Sequence, residues 1–187
     1  MSSDSPPDAG SLYQAALDYL ARYASTKAGL RRVLERRIER WVRAQPDPDA
    51  AEPAHQAALA AIDGVVERLA AAGALSDTAF AENRARNLVR SGQSTRSIQM
   101  RLVAKGVAPG VARSVSAAGA ETELAAALVL ARKRRIGPYR LADDPDTGVR
   151  VKEMGVLARA GFSRDIAKQA LETSREDADN RIFELRR

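Results

Sequence analysis

Apolar residues recur along this chain at helical spacing. Leu12, Ala16, Leu20 and Ala24 are spaced by four and predict a first helix over about residues 12–24. Ser25-Thr26 then offers an N-cap, and Leu30, Val33, Leu34, Ile38 and Trp41 form the apolar stripe of a second helix over 27–43. The run Gln45-Pro46-Asp47-Pro48-Asp49 breaks that helix and reads as a linker over 44–53, with Pro53 in the first turn of the next helix. Leu59, Ile62, Val66 and Leu69 line this third helix, and Gly73 suits its C-terminal stop.

The same grammar follows twice more. Ser76-Asp77 opens a helix with Phe80, Ala81, Ala85 and Leu88 inward and Gly92 after it. Ser94 caps a helix with Ile98 and Leu102, which stops at Gly106. Pro109 opens a helix with Val111 and Val115 inward, which stops at Gly119. Leu124, Leu128 and Ala131 mark a helix over 121–135, closed by Gly137-Pro138. Residues 143–148 read as a turn-rich loop. A helix from about Val149, with Met154 and Leu157, stops at Gly161, and Ser163 caps one more with Ile166, Ala170 and Leu171. Residues 174–187 read as a charged tail that adds a helical turn or two.

No segment alternates with period two over strand length, so the fold class is all-α. Nine helices fall into three groups of three, and the groups resemble one another. Thr26, Leu30, Leu34 and Arg37 recur as Ser94, Ile98, Leu102 and Lys105, while Leu102, Gly106, Val107 and Val111 recur as Leu157, Gly161, Phe162 and Ile166. Units this small do not each bury a full core, so three tandem three-helix repeats are expected to stack into an elongated array. The expected boundaries are a disordered tail over 1–11, repeats over 12–74, 75–119 and 120–173, and the tail over 174–187.

Composition narrows the chemistry. The chain of 187 residues has no Cys and a single His, His55, which excludes disulfide scaffolds, thiolate metal sites and multi-imidazole sites. No phosphate-cradling loop, His-based triad or zinc motif is present, so neither enzymatic activity nor a cofactor is expected. No apolar run approaches a membrane span and the start of the chain is polar and acidic, which predicts a cytoplasmic protein with no membrane partner.

The net charge is +6, and its placement says more than its size. Residues 84–105 hold six basic residues and no acidic one. A second basic block lies over 22–43, and a third runs Arg132-Lys133-Arg134-Arg135 with Arg140 nearby. Residues 44–67 are acidic, with no Lys or Arg. Such segregation suits an anionic partner, whereas each block alone also reads as the solvated face of an amphipathic helix. Trp41, Phe80 and Phe162 read as packing residues, Tyr19 and Tyr23 as a pair on one helix face, and His55 as exposed.

Three sets of residues carry a family resemblance. The central set is Ser76-Asp77-x-x-Phe80-Ala81, Arg90-x-Gly92, then Ser94-x-x-x-Ile98-x-x-x-Leu102-x-x-Lys105-Gly106-Val107. The second places Lys152 nine residues before Gly161-Phe162-Ser163, with Ile166 following, and a looser third is Ala15, Leu20, Thr26, Leu30 and Leu34. In order and spacing they resemble the RecX family, regulators of the RecA recombinase, over roughly residues 12–172. The chain departs from the usual pattern at Ser97, where an acidic residue is common, and at Ala160, where Arg is common and here lies one step earlier as Arg159.

The resemblance implies three tandem three-helix repeats stacked into an elongated, curved right-handed array, and a monomer that binds the RecA filament, along its groove or at its end. It implies inhibition of recombinase, ATPase and coprotease activities, and so modulation of DNA repair and the SOS response. The partner-binding residues expected on the basic face, toward RecA or DNA phosphates within the filament, are Arg84, Arg90, Arg96, Arg101, Lys105, Arg132, Arg135 and Lys152. The alternative is a helical-repeat module that grips DNA directly. Aromatic poverty counts against that reading, because single-strand binders use exposed aromatic platforms.

Overall fold

The computed structural model describes residues 5–141 and 147–187, and every regular element among them is helical. The elements are α1 (Ala9–Leu20), α2 (Lys27–Arg43), α3 (Pro48–Ala71), α4 (Asp77–Arg90), α5 (Thr95–Ala104), α6 (Pro109–Ser116), α7 (Ala120–Arg134), a 3-10 turn (Gly137–Tyr139), α8 (Thr147–Arg159), α9 (Arg164–Glu172) and α10 (Arg175–Arg186). The chain divides into two compact units. One holds residues up to Phe80 together with Lys105–Val107, and the other holds Ala81–Ala104 and Ala108–Arg187.

In the first unit α1, α2 and α3 pack on one another. Leu30, Leu34 and Ile38 of α2 meet Leu12 and Ala16 of α1 and Ile62, Val66 and Leu69 of α3 in one buried cluster. The α2 stripe is therefore core, as its spacing predicts. Trp41, at the end of that stripe, is only partly buried, and Tyr19 and Tyr23 pair with ring centroids 5.2 Å apart.

The second unit is built around α7, whose residues Leu124 to Val129 are all buried. Its alanines leave room for α9 and α10 to approach closely, and a helix apolar on all sides belongs in a core. Leu157, Phe162, Ala167 and Ala170 from α8, α9 and the turn between them complete the cluster, with Ala178 and Ile182 of α10.

One joint occurs in both units. Thr26 caps α2 by accepting from Gly29 N at 2.9 Å, while its hydroxyl donates to the Lys105 carbonyl at 2.6 Å. Ser94 accepts from Ser97 N at 3.2 Å, while its hydroxyl donates to the Ala160 carbonyl at 2.6 Å. Each acceptor carbonyl precedes a glycine with positive φ, Gly106 at 91° and Gly161 at 94°. A Cβ on Gly106 would lie 2.3 Å from Ala28 Cβ, and one on Gly161 would lie 2.6 Å from Ser94 Oγ. Carboxylates finish both caps: Asp77 accepts from Lys27 N at 2.8 Å, and Glu123 accepts from Thr95 N at 3.1 Å. An anion at a helix N-terminus is favoured by the unpaired N–H groups and the helix dipole there.

Several boundaries differ from the sequence expectation. Helix α1 starts at Ala9, inside the segment expected to be a tail, because the Asp8 side chain caps it through Ser11 N. Helix α3 starts at Pro48, so the linker is shorter than 44–53. Asp47 accepts from Asp49 N and Ala50 N at 3.1 and 3.2 Å, and Pro53 lies inside the helix on an exposed position where solvent reaches the carbonyl left without a donor. In α6 the buried residues are Ala112 and Ser116, not Val111 and Val115. Gly119 is the N-cap of α7 at φ −64°, rather than a left-handed stop. Phe80 and His55 are half-buried, and His55 contacts Glu52.

The charged end of the chain is a full helix, not a turn or two. Ser174 caps α10 through Asp177 N, Arg181 pairs with Glu121 of α7, and Ala178 and Ile182 are buried. Helix α8 begins at Thr147, and the expected loop over 143–148 lies outside the described residues up to 146.

Candidate functional site

The basic residues separate into distinct environments. Arg96 and Arg101 project from α5 and line a hollow of about 450 Å3 together with Ser97, Met100, Arg159 at the last position of α8 and Gly161 of the α8–α9 turn. Ser97 Oγ accepts from Arg101 Nε at 3.3 Å and donates to Gln93 Oε1 at 3.0 Å, which orients the Arg101 guanidinium without neutralising it. Among the described residues no carboxylate lines this hollow. Glu123, which reaches the start of α5, is engaged by the backbone N–H and hydroxyl of Thr95. Three Arg side chains and a hydroxyl thus line one hollow with no carboxylate among the described residues, the Arg159 guanidinium lying back over Gly155 of its own helix. A planar guanidinium offers several donors, so this arrangement suits an incoming carboxylate or phosphate.

The other predicted residues lie elsewhere. Arg84 is exposed on α4, and Arg90, with Arg86, lines a separate hollow of about 330 Å3 that includes Val89, Thr122 and Leu185. Lys105 belongs to the first unit, and its carbonyl is the acceptor for Thr26. Arg132 lies 4.0 Å from Asp179 of α10, whereas Arg135 adopts a left-handed conformation at the end of α7 with φ 55° and is exposed. Lys152 is exposed on α8.

Part of the third basic block is structural. Lys133 Nζ donates to the Ser91 carbonyl at 2.8 Å, at the end of α4. Arg140 makes two hydrogen bonds to the carboxylate of Glu153, which is 6% exposed and buried beside it. The hydrogen bond to Glu153 holds the Arg140 guanidinium above its ordinary pKa. Burial pushes the Tyr139 phenol up to about 12, reinforced by its hydrogen bond to Asp179 at 2.7 Å. These groups fasten the 3-10 turn to α8 and α10.

Arg159 was absent from the set predicted from sequence. Its place beside Arg96 rests on a contact between residues more than sixty positions apart. The signal that does point to it is the matching of Gly106 with Gly161, which puts the residues before Gly161 against the start of α5.

Residues 76–115 match the family model described as RecX, second three-helix domain. The regulatory protein RecX of Myxococcus xanthus (strain DK1622) is 41% identical over 165 residues, spanning 87% of this chain and 85% of that protein. The chain belongs to the RecX family. The regulatory protein RecX of Agrobacterium fabrum (strain C58 / ATCC 33970) is 43% identical over 108 residues, 57% of this chain and 56% of its own length. The crystal structure of RecX from Lactobacillus salivarius superposes with a TM-score of 0.64 at 19% identity, covering 92% of this chain and 97% of that one, so the all-helical fold is shared. The tandem three-helix grouping agrees with the domain name of the matched model.

Among the described residues no single helix is long and apolar enough to cross a membrane. No three His, Asp or Glu side chains among them come together in a metal-holding group.

Proposed function

We propose that this chain is a regulatory protein that binds the RecA filament and inhibits RecA's recombinase, ATPase and coprotease activities. Membership in a family whose named relatives are regulatory proteins supports the regulatory role. The observation that carries a binding mechanism is the hollow lined by Arg96, Arg101 and Arg159 with no carboxylate among the described residues. A filament of protein on DNA presents anionic groups, and a cationic hollow speeds encounter and fixes register with such a surface. Each exposed charge contributes little alone, about 0.2–1 kcal/mol, because water and salt screen it.

The test is inhibition of RecA's DNA-dependent ATP hydrolysis by wild type and by the combined Arg90→Glu, Arg96→Glu, Arg101→Glu variant, with circular dichroism confirming that both are folded. Wild type inhibits and the folded triple variant inhibits far more weakly. Equal inhibition by the two places the contact on another face. No inhibition by wild type refutes the proposal.

A further inference from the structure

We propose that the α5 hollow is a receptor for a single acidic side chain flanked by apolar groups on the surface of a protein partner. This rests on the reading that the chain regulates another protein, and it names the chemistry by which that partner is held. Four observations on the second unit lead to it.

First, the hollow is convergent rather than extended. Arg96 and Arg101 lie on either side of Ser97 and Met100 on α5 and Arg159 stands at the end of α8, so cations from two helices line one hollow of about 450 Å3. A nucleic-acid track instead aligns cations along the backbone it follows. Second, the three Arg side chains have no ion pair among the described residues: Arg101's side-chain hydrogen bond is to the neutral Ser97 hydroxyl, and no carboxylate of those residues lines the site. Third, the Ser97–Gln93 hydrogen bond holds the hydroxyl that positions Arg101 Nε, so part of the receptor is ordered before a ligand arrives.

Fourth, the site is not purely cationic. Met100 lines it and is 59% exposed, and Val103 on the same helix is 43% exposed. Exposed Met beside cations suits an apolar protein side chain, since Met is flexible and adapts to irregular surfaces. A phosphate backbone offers little for it to cover. Arg with adjoining Met is also the composition enriched at protein interfaces. The occupant is therefore a Glu or Asp with an aliphatic neighbour: the carboxylate takes the guanidinium donors and the aliphatic group covers Met100.

The helix geometry supplies the test. A residue four positions before Arg101 faces it, and an acid on that side pairs well with the base. Ser97→Glu thus puts a carboxylate of the chain's own into the hollow. Gln169→Glu, on the exposed face of α9, makes the same charge change elsewhere. Binding to RecA filaments is measured for wild type, Ser97→Glu, Gln169→Glu and Met100→Ser, with thermal melts to confirm folding. Ser97→Glu is expected to weaken binding roughly tenfold, Met100→Ser several-fold, and Gln169→Glu less than twofold, with melting temperatures held.

Full binding by Ser97→Glu overturns the proposal while leaving the regulatory reading in place. A loss on Ser97→Glu with none on Met100→Ser, together with a matching loss on naked single-stranded DNA, assigns the hollow to phosphate and overturns it too. If wild type does not bind RecA, the regulatory reading fails, and the hollow is judged by titrating the protein with acetyl-Leu-Glu-Leu-amide while following arginine Nε–H signals by NMR. Shifts of the Arg96, Arg101 and Arg159 signals that vanish in Ser97→Glu support the receptor. Unmoved signals overturn it.

Discussion

Substituting Gly161 by Ala tests the joint that holds the α5 hollow together. Gly161 has φ 94°, a conformation that L side chains rarely adopt, and leaving glycine there costs about 1–2 kcal/mol. The new Cβ would also lie 2.6 Å from Ser94 Oγ, too close for either to stay. The hydroxyl must move off the Ala160 carbonyl, which it meets at 2.6 Å, and Ser94 is fully buried. Leaving a buried group unpaired costs about 1–3 kcal/mol. The effects overlap, so Gly161→Ala is expected to cost about 2–4 kcal/mol and to lower the melting temperature by roughly 5–15 °C.

Gly64→Ala is the matched control. Gly64 lies inside α3 with nothing within 4 Å of a new Cβ, so alanine there is expected to stabilise by about 0.5–1 kcal/mol. The assay is urea denaturation followed by helical circular dichroism. The pair also predicts coupling: with Ser94→Ala already in place the Cβ has room, so the double variant loses less than the sum of the singles. Equal midpoints for Gly161→Ala and Gly64→Ala, or strict additivity with Ser94→Ala, would refute the account of the joint.

Other substitutions probe the rest of the fold. Leu102→Ala, at a fully buried position of α5, is expected to cost about 2–5 kcal/mol in the same urea assay. Arg140→Met strands the buried Glu153 carboxylate and is expected to cost about 3–5 kcal/mol in the same urea assay. Tyr139 ionises at about 12 when folded and about 10 when unfolded, so the folded chain keeps its proton longer and stability falls as pH rises from 10 to 12. The loss is roughly 2–3 kcal/mol relative to Tyr139→Phe, which lacks the titrating group, and parallel pH profiles for the two would contradict it.

Much of the fold was legible because local chemistry and the repeat agreed. Thr26 and Ser94 read as caps, Gly106 and Gly161 as left-handed stops, and Leu34, Leu102 and Leu157 as equivalent core positions, all three fully buried. What sequence missed was set by contacts distant along the chain. Helix α10 is mostly charged and gains its place through contacts distant along the chain, Ala178 and Ile182 in the α7 core and Arg181 on Glu121. The start of α3 was misplaced because two prolines competed for one first turn, and the Asp47 cap selects Pro48. The basic residues were found as types but not as a constellation. Arg140 faces the buried Glu153, Lys105 lies in the other unit, and Arg159 joins Arg96 through the fold.

The central claim is that this chain acts on a protein filament rather than on DNA alone. Co-sedimentation measures it directly, with RecA assembled on single-stranded DNA in one tube and the same DNA without RecA in another, both at near-physiological salt. The account predicts that the chain pellets with the RecA filament and stays in the supernatant with naked DNA, because direct phosphate binding weakens steeply with salt. Equal pelleting with both, or with neither, would contradict it.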